Sequence, residues 1–150
     1  MFSLVISLDN TDCIFCKIVQ KEAFAAVVYE DDEILAFPDI KPINEGHLLV
    51  IPKQHAVFIE ELEEELFLKI FSIGRKLART IKERIPETTA FNYFIADGED
   101  AGQEVFHVHL HIIPRRPDDG FGFTFDKEYY DRFLTEEQRE QVKKKLLARN

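Results

Sequence analysis

The segment His107-Val108-His109-Leu110-His111-Ile112-Ile113 alternates imidazole with aliphatic side chains and contains three of the chain's five histidines. Because successive side chains of a β-strand point to opposite faces, this alternation predicts a strand over 105–113 with all three imidazoles on one face. On such a strand, neighbouring imidazoles would lie about 6.5–7 Å apart. We expect the opposite face to pack in the core through Phe106, Val108, Leu110 and Ile112.

The row of imidazoles is open to three interpretations. A solvated strand needs no particular polar residue, so the concentration of histidine disfavours simple exposure. All three rings could share one metal ion only if the strand bends, since alternate positions on a straight strand are too far apart. Catalysis at phosphorus would use one imidazole as the nucleophile and the others as donors to phosphate oxygens.

Outward from this segment, the apolar pattern predicts an α+β fold around an antiparallel sheet of about five strands. Two short strands flank an acidic turn within residues 27–37, and a buried strand follows at 47–51. The spacing of leucine and isoleucine predicts a helix over 60–85. A further strand is predicted at 91–96, and a second main helix forms a C-terminal helical tail at 127–149.

The composition is that of one globular domain with an acidic surface. The chain has 150 residues, of which 45% are hydrophobic and 31% charged. Its net charge of −9 disfavours nucleic acids and anionic membranes as partners, because like charges repel. No apolar run approaches the roughly 18 residues of a membrane span. Residues 1–10 lack the basic region of a signal peptide, so we expect a cytoplasmic protein.

The chain has two cysteines, Cys13 and Cys16, in a C-x-x-C arrangement. Two cysteines are too few for a disulfide scaffold in a chain of this length. No thioredoxin-like βαβ pattern follows them, which disfavours redox chemistry. Two roles of the cysteines remain open. They are either buried thiols without a function or two of the four ligands of a Cys₂His₂ zinc site, which needs two histidines from elsewhere.

Together with their neighbours, these motifs resemble the histidine triad (HIT) family, in its bacterial form with a C-x-x-C pair. The matching segments occur in order at 12–18, 37–42, 46–55 and 102–115. The resemblance implies a HIT-like fold, with a single HIT domain over 1–150 whose core spans 11–115. It leaves residues 1–10 as an ill-ordered lead-in and 116–150 as a C-terminal extension.

The resemblance implies a hydrolase or transferase that acts at the α-phosphate of purine nucleotide derivatives. Adenosine phosphoramidates and dinucleoside polyphosphates are the implied substrate types. In the family, the middle histidine forms a covalent nucleotidyl intermediate, and that residue is His109 here. His111 would hold phosphate oxygens on the leaving-group side, and His107 would help to build the site. His47 matches a fourth histidine of the family site.

Further residues match positions that bind the nucleotide in the family. Asp39 would accept the ribose hydroxyls, although the residue alone is equally typical of a turn. Gly102, Gln103 and Val105 would offer backbone N–H groups to phosphate. The apolar purine slot would consist of Ile14, Phe15, Ile18, Phe37 and Ile40, residues whose type alone is also typical of a plain core.

Two positions depart from the family pattern. Ala96 stands where many relatives carry an asparagine that contacts the nucleotide. Glu104, which would lie beside the nucleotide, stands where the phosphoramidase branch often has serine. A carboxylate near phosphate is repelled unless it turns away. We therefore hypothesise that Glu104 faces the leaving group and favours a cationic amine there.

The resemblance also suggests how the cysteines are used and how the chain assembles. In zinc-bearing relatives such cysteines share a structural zinc ion with a downstream histidine and the first triad histidine. Here the ligands would be Cys13, Cys16, His55 and His107. The family usually forms symmetric homodimers. The alternative to an enzyme is a zinc-structured nucleotide-binding or scaffold protein with little turnover.

Overall fold

The computed structural model describes residues 12–148, and that part of the chain contains three α-helices and five β-strands. The helices are α1 (Ile14–Val19), α2 (Glu64–Arg84) and α3 (Glu136–Leu147). The strands are β1 (Tyr29–Glu30), β2 (Ile34–Pro38), β3 (Leu48–Pro52), β4 (Ala90–Phe94) and β5 (Leu110–Arg115). Short 3-10 turns lie at Ile59–Glu61, Glu99–Ala101 and Tyr129–Asp131. The predicted lead-in, residues 1–10, lies outside the described residues.

The five strands form one antiparallel sheet in the order β1-β2-β3-β5-β4. Strand β5 lies between β3 and β4, and His111 pairs with Leu49 on one side and with Phe94 on the other. This arrangement confirms the predicted α+β class and the antiparallel sheet of five strands. It places His111 in the interior of the sheet, where neighbouring strands hold it on both sides.

Helix α2 covers one face of the sheet because its apolar residues recur at intervals of three and four. Ile70 and Ile73 are buried against the strands, in a core that also contains Leu110 and Ile112. A Cβ on Gly74 would lie 2.9 Å from side-chain atoms of both Leu110 and Ile112, so the helix approaches β5 closely at this glycine. The helix begins at Glu64 rather than at residue 60, because Ile59–Glu61 forms a 3-10 turn.

The other face of the sheet is covered by α1, a short helix that the sequence pattern did not predict. The Cys13 Sγ accepts a hydrogen bond from the Cys16 N–H and caps the helix N-terminus. Phe15 anchors α1 against a separate apolar cluster formed with Leu35, Phe37, Leu49 and Ile51. Helix α1 therefore brings the C-x-x-C pair to the sheet face opposite α2.

The predicted strand over 105–113 is wrong in its first half, because β5 begins only at Leu110. The His107 N–H donates to the Val105 carbonyl at 2.8 Å, and the Val108 N–H donates to the Ala56 carbonyl at 2.7 Å. These bonds form a turn and a link to the 52–57 segment in place of a strand ladder. Only His111 of the three histidines therefore lies on the strand, and Phe106 is only half-buried.

Other predicted boundaries shift by a few residues. The first hairpin strand is limited to Tyr29–Glu30, and the strand predicted at 91–96 spans Ala90–Phe94. The helix predicted over 127–149 is limited to Glu136–Leu147. Within residues 12–148, no helix has both the length and the apolar character needed to cross a membrane.

The chain divides into two compact units, the second of which begins at Gly120. Its helix α3 starts with a capping box, in which Thr135 and Gln138 each bond the other's backbone N–H. Before the helix, the rings of Phe125 and Tyr129 stack with centroids 4.0 Å apart. The assignment of residues 116–150 as an extension of a single domain stays a prediction.

Candidate active site and metal centre

All five histidines of the chain lie in one chain of ring contacts. His55 and His107 have ring centroids 5.2 Å apart, and the ring of Phe15 packs edge-on between His107 and His109. Beyond it, the His109 and His111 centroids are 4.9 Å apart. The His111 and His47 centroids are 5.2 Å apart. The fold thus brings together the triad and both histidines that the sequence analysis selected outside it.

The tautomer of His109 is fixed by a backbone acceptor. Its Nδ1 lies 2.6 Å from the His107 carbonyl oxygen, which can only accept, so Nδ1 carries the proton. The other nitrogen, Nε2, therefore holds a lone pair. Burial lowers the pKa of His109, while the charges of Asp39 and Glu104 oppose this effect. At neutral pH the ring is uncharged and suited to nucleophilic attack.

The tautomer of His111 follows from a chain of two hydrogen bonds. The Ile43 N–H donates to His47 Nδ1 at 3.1 Å, so the proton of neutral His47 lies on Nε2. His47 Nε2 is 2.9 Å from His111 Nδ1 and donates to it. His111 must then carry its own proton on Nε2. Its ring offers an N–H donor, which is the complement of the lone pair on His109.

Burial keeps these two rings neutral. It lowers the pKa of His111 to about 4, with the nearby His109 and His47 acting in the same direction and Asp39 against them. Burial also lowers the pKa of His47, although Asp39 again opposes it. The Asp39 Oδ2 lies 3.5 Å from His47 Nε2 and 3.7 Å from His111 Nδ1. Asp39 therefore lies beside the triad, and its expected bond to ribose hydroxyls stays a prediction.

Asp39, His47 and His111 bring three potential ligand atoms within 4.8 Å of one another. Their hydrogen bonds nevertheless disfavour a metal at this cluster. The atom of His47 that faces the other two is Nε2, and the Ile43 N–H places the ring proton on that atom. A protonated nitrogen cannot bind a metal ion. This cluster is therefore organised for hydrogen bonding.

Cys13, Cys16, His55 and His107 form a second cluster whose ligand atoms also lie within 4.8 Å of one another. The Cys13 Sγ is 3.4 Å from His107 Nδ1, and the Cys16 Sγ is 3.2 Å from His55 Nδ1. His107 donates from Nε2 to the Pro52 carbonyl at 2.8 Å, which leaves Nδ1 unprotonated toward the sulfurs. Two thiols and two imidazoles match a closed tetrahedral zinc site.

Zinc binding would require the Cys16 thiol to lose its proton. Burial and the adjacent Cys13 together raise the pKa of Cys16 to about 12. At neutral pH such a thiol gives up its proton readily only when a cation replaces it. The set of two thiols and two imidazoles with ligand atoms within 4.8 Å of one another suits a zinc ion, which would tie α1 to the 107–109 segment.

The residues predicted to form the purine slot fall into two groups. Phe15 and Phe37 are buried and pack edge-to-face with centroids 5.6 Å apart, and Ile18 packs against the same cluster. Ile14 and Ile40 are instead 45% and 95% exposed. Buried members of the set belong to the core that supports α1. The exposed pair leaves apolar surface available to a ligand.

The loop at residues 102–105 was predicted to offer backbone N–H groups to phosphate, and two of these groups are already bonded within the protein. The Gly102 N–H donates to the Glu99 carbonyl, and the Gln103 N–H donates to the Gly98 carbonyl. Neither amide can hold a phosphate without breaking its bond. The buried Gln103 side chain accepts from the Gly98 N–H and donates to the Val57 carbonyl, so it ties the loop to the 52–57 segment.

The remaining residues of that loop are placed differently. Val105 packs against the apolar cluster that contains Phe15. Glu104 is exposed, and its charge acts on His109. Ala96, the other departure from the family pattern, is buried.

Three site residues were not found from the sequence. The ring of Phe94, from β4, packs 5.8 Å from the ring of His111. The Ile43 N–H and the Pro52 carbonyl fix the tautomers of His47 and His107, respectively. Backbone groups carry no residue-type signal, so only the folded chain reveals these two roles. The register of β4 against β5 would have placed Phe94 beside His111.

The antiparallel sheet and the contacting imidazole rings define an α+β protein with a histidine-based site. A family model described as the HIT domain matches residues 20–118. The chain belongs to the HIT family. It is 46% identical over 114 residues to an uncharacterized HIT-like protein of Borreliella burgdorferi, a match that covers 75% of this chain and 81% of that protein. It is also 37% identical over 113 residues to the adenylylsulfatase HINT3 of Arabidopsis thaliana, covering 75% of this chain and 56% of that protein.

Two solved structures of the family are similar to most of this chain. A HIT family protein from Bacillus subtilis is 39% identical and matches with a TM-score of 0.80, covering 93% of this chain and 99% of that one. A Zn-bound histidine triad protein from Mycobacterium smegmatis is 37% identical with a TM-score of 0.72, covering 82% and 88%. These matches confirm the predicted family and its HIT-like fold.

Proposed function

We propose that this chain hydrolyses purine nucleotide derivatives at the α-phosphate through a covalent nucleotidyl-His109 intermediate. The observation that carries the proposal is the 2.6 Å hydrogen bond from His109 Nδ1 to the His107 carbonyl. It leaves a neutral, buried imidazole with its Nε2 lone pair available, which is the form that attacks phosphorus. Membership of the HIT family supports the same chemistry.

The reaction proceeds in two displacements. His109 Nε2 attacks the α-phosphorus and forms a P–N bond, while the bond to the leaving group breaks and its electron pair departs with that group. An amine leaving group takes up a proton from solvent as it departs. The ring becomes an imidazolium whose Nδ1–H is stabilised by the His107 carbonyl. Water then attacks phosphorus, the P–N electron pair returns to Nε2, and the water proton passes to solvent. His109 is regenerated as a neutral imidazole.

His111 and His47 assist at the phosphate. The hydrogen-bond chain from Ile43 through His47 leaves His111 with an N–H donor on Nε2. We assign this donor to a non-bridging oxygen of the α-phosphate, where negative charge increases in the transition state. A neutral donor is sufficient because a single phosphate is held, which also fits the acidic net charge of −9.

The nucleoside binds next to this centre. We assign Asp39 to the ribose hydroxyls, because it lies beside His47 and His111 and a carboxylate can accept from two adjacent hydroxyls. Exposed Ile14 and Ile40 would pack on the purine ring. The adenylylsulfatase relative acts on an adenylyl compound, which supports adenine as the base.

A structural zinc ion is part of the proposal. Cys13, Cys16, His55 and His107 would hold it, and when bound it would anchor α1 and the 107–109 segment to each other. The Zn-bound family structure supports this assignment. Zinc ligation requires both cysteines as thiolates, which is consistent with the reducing cytoplasm as the site of action.

We also infer a homodimer, and nucleic acid is not among the partners we propose. Strand β4 ends the sheet, and Tyr93 and Phe94 on it are 44% and 37% exposed. An edge strand offers N–H and C=O groups that a second copy can pair with across a two-fold axis. Light scattering after size exclusion tests this inference, and a monomer at micromolar concentration would contradict it.

The covalent intermediate is tested by rapid acid-free quenching of the wild-type protein with an adenosine phosphoramidate carrying a radiolabelled α-phosphate. We expect label on the denatured protein that is stable in base and released by acid. His109→Asn should carry none and should lose turnover. His109→Asn should also keep its zinc content and circular dichroism, since residue 109 is not among the four zinc ligands. Turnover without label, or equal turnover by the variant, would contradict the nucleotidyl-His109 intermediate, and little turnover by the wild type would favour the scaffold alternative.

A further inference from the structure

Asp119 is a buried carboxylate that the proposed reaction does not use. Its side chain is 3% exposed and lies just beyond the end of β5. It accepts from Arg115 Nε at 2.7 Å and from a second Arg115 nitrogen at 2.8 Å. It also accepts from the Asn44 side-chain amide at 2.8 Å and from the Arg116 N–H at 3.3 Å. A buried carboxylate with this many donors is rigidly held.

Asn44 connects this carboxylate to the loop that precedes β3. Its side-chain amide donates to Asp119 and also to the Pro114 carbonyl at 2.9 Å. Its own backbone carbonyl accepts from the His47 N–H at 3.1 Å, which closes a tight turn over residues 44–47. Asn44 therefore fixes this turn to the end of the strand that carries His111.

The turn holds the group that sets the His47 tautomer. Ile43 immediately precedes Asn44, and its N–H donates to His47 Nδ1 at 3.1 Å. The Asn44 side-chain amide and the turn from Asn44 to His47 together hold the backbone that directly follows this donor. If the anchor is lost, the Ile43 N–H is free to move away from His47 Nδ1.

We propose that Asn44 and Asp119 are positioning residues that keep His111 in the tautomer with its proton on Nε2. With the Ile43 donor released, His47 can carry its proton on Nδ1 and presents a lone pair to His111 Nδ1. His111 then moves its own proton to Nδ1 and donates it to His47 Nε2, which lies 2.9 Å away. The Nε2 lone pair of His111 would face the phosphate and repel it. The claim that this tautomer aids catalysis, the catalytic half of the inference, rests on the proposed function. The claim that Asn44 and Asp119 set the tautomer does not.

The test compares Asn44→Ala and Asp119→Ala with the control Asp126→Ala. Asp126 also binds an arginine, Arg132, but it is exposed and lies in the unit that begins at Gly120. The first measurement is the ring ¹⁵N chemical shifts of His47 and His111 at neutral pH, which distinguish protonated from unprotonated nitrogens without any substrate. The second is kcat and KM for an adenosine phosphoramidate.

In the wild type and in Asp126→Ala, we expect His111 to carry its proton on Nε2. In Asn44→Ala, we expect a mixture of tautomers and a fall of about three- to tenfold in kcat/KM, the range by which one neutral hydrogen bond biases an equilibrium. Asp119→Ala should act in the same direction. Because it also leaves Arg115 without that acceptor, Asn44→Ala decides the question if Asp119→Ala does not fold.

Unchanged His47 and His111 shifts in Asn44→Ala would overturn the inference, even if the variant is less stable. An inactive wild type with the predicted tautomer shift would contradict the proposed function while supporting the positioning role. A tautomer shift with unchanged kcat/KM would show that His111 does not donate to phosphate, and it would overturn the catalytic half of the inference.

Discussion

The buried state of His111 predicts a specific acid sensitivity of folding. The imidazole is 19% exposed, and burial lowers its pKa to about 4. In the unfolded chain it returns to about 6.5. Between these values the unfolded state binds a proton that the folded state does not, so the stability that this group contributes is present above pH 6.5 and falls as the pH is lowered toward 4. At about 1.4 kcal/mol per pH unit, the loss between pH 7 and pH 4.5 is about 2.5 kcal/mol.

The variant His111→Asn removes this proton-binding group and keeps a hydrogen-bond acceptor for His47. Urea unfolding of the wild type and of His111→Asn at both pH values measures the difference. Acid also displaces zinc, but it does so in both proteins, and the comparison between them cancels that contribution. We expect the variant to lose about 2.5 kcal/mol less than the wild type on acidification. Equal losses would refute the assignment of His111 as a buried neutral ring.

Three further predictions concern other parts of the protein. Gly74→Val should reduce the free energy of unfolding by about 1–3 kcal/mol, because its Cβ would lie 2.9 Å from Leu110 and Ile112 side-chain atoms. Gly122→Val, where a Cβ meets nothing within 4 Å, should change it by less than about 0.5 kcal/mol, and equal effects in urea unfolding would contradict the close helix–strand contact. Cys16→Ser should lower the zinc content measured by mass spectrometry and the Tm, whereas Asp39→Asn should leave one zinc per chain; zinc loss from Asp39→Asn alone would show that the metal binds at the Asp39 cluster and would contradict the assignment to the two cysteines. Glu104→Ser should shift the ratio of kcat/KM values for an adenosine phosphoramidate and a diadenosine polyphosphate toward the polyphosphate, because an exposed carboxylate near His109 favours a cationic leaving group; an unchanged ratio would exclude this role.

The regular part of the fold follows from local sequence pattern. The intervals between leucine and isoleucine in α2, and the apolar runs of β2, β3 and β5, each reflect burial of one or both faces of an element. Such periodicity is visible without the fold. Helix α1 has only six residues and depends on the Cys13 cap and the burial of Phe15, which are tertiary features. A pattern of that length is too short to predict a helix.

The site likewise contains features that the sequence could predict and features that depend on the folded chain. The identities of the triad, of His47 and of the four zinc-binding candidates could be selected from residue type and family resemblance. The turn at Val105–His107 could not, because it depends on bonds to the 52–57 segment, which is remote in the sequence. The tautomers also required the folded structure, since each is set by a backbone group of another segment. Asn44 and Asp119 are 75 positions apart and meet only after the sheet is formed.

The two-displacement reaction is tested most directly by the stereochemical course at the α-phosphorus. The substrate is an adenosine 5′-phosphorothioate derivative that is chiral at phosphorus, hydrolysed in ¹⁸O-labelled water, and the configuration of the product is read by ³¹P NMR. Attack by His109 followed by attack by water inverts the centre twice, so we predict net retention of configuration. Net inversion would mean that water displaces the leaving group directly, and it would contradict a nucleotidyl-His109 intermediate.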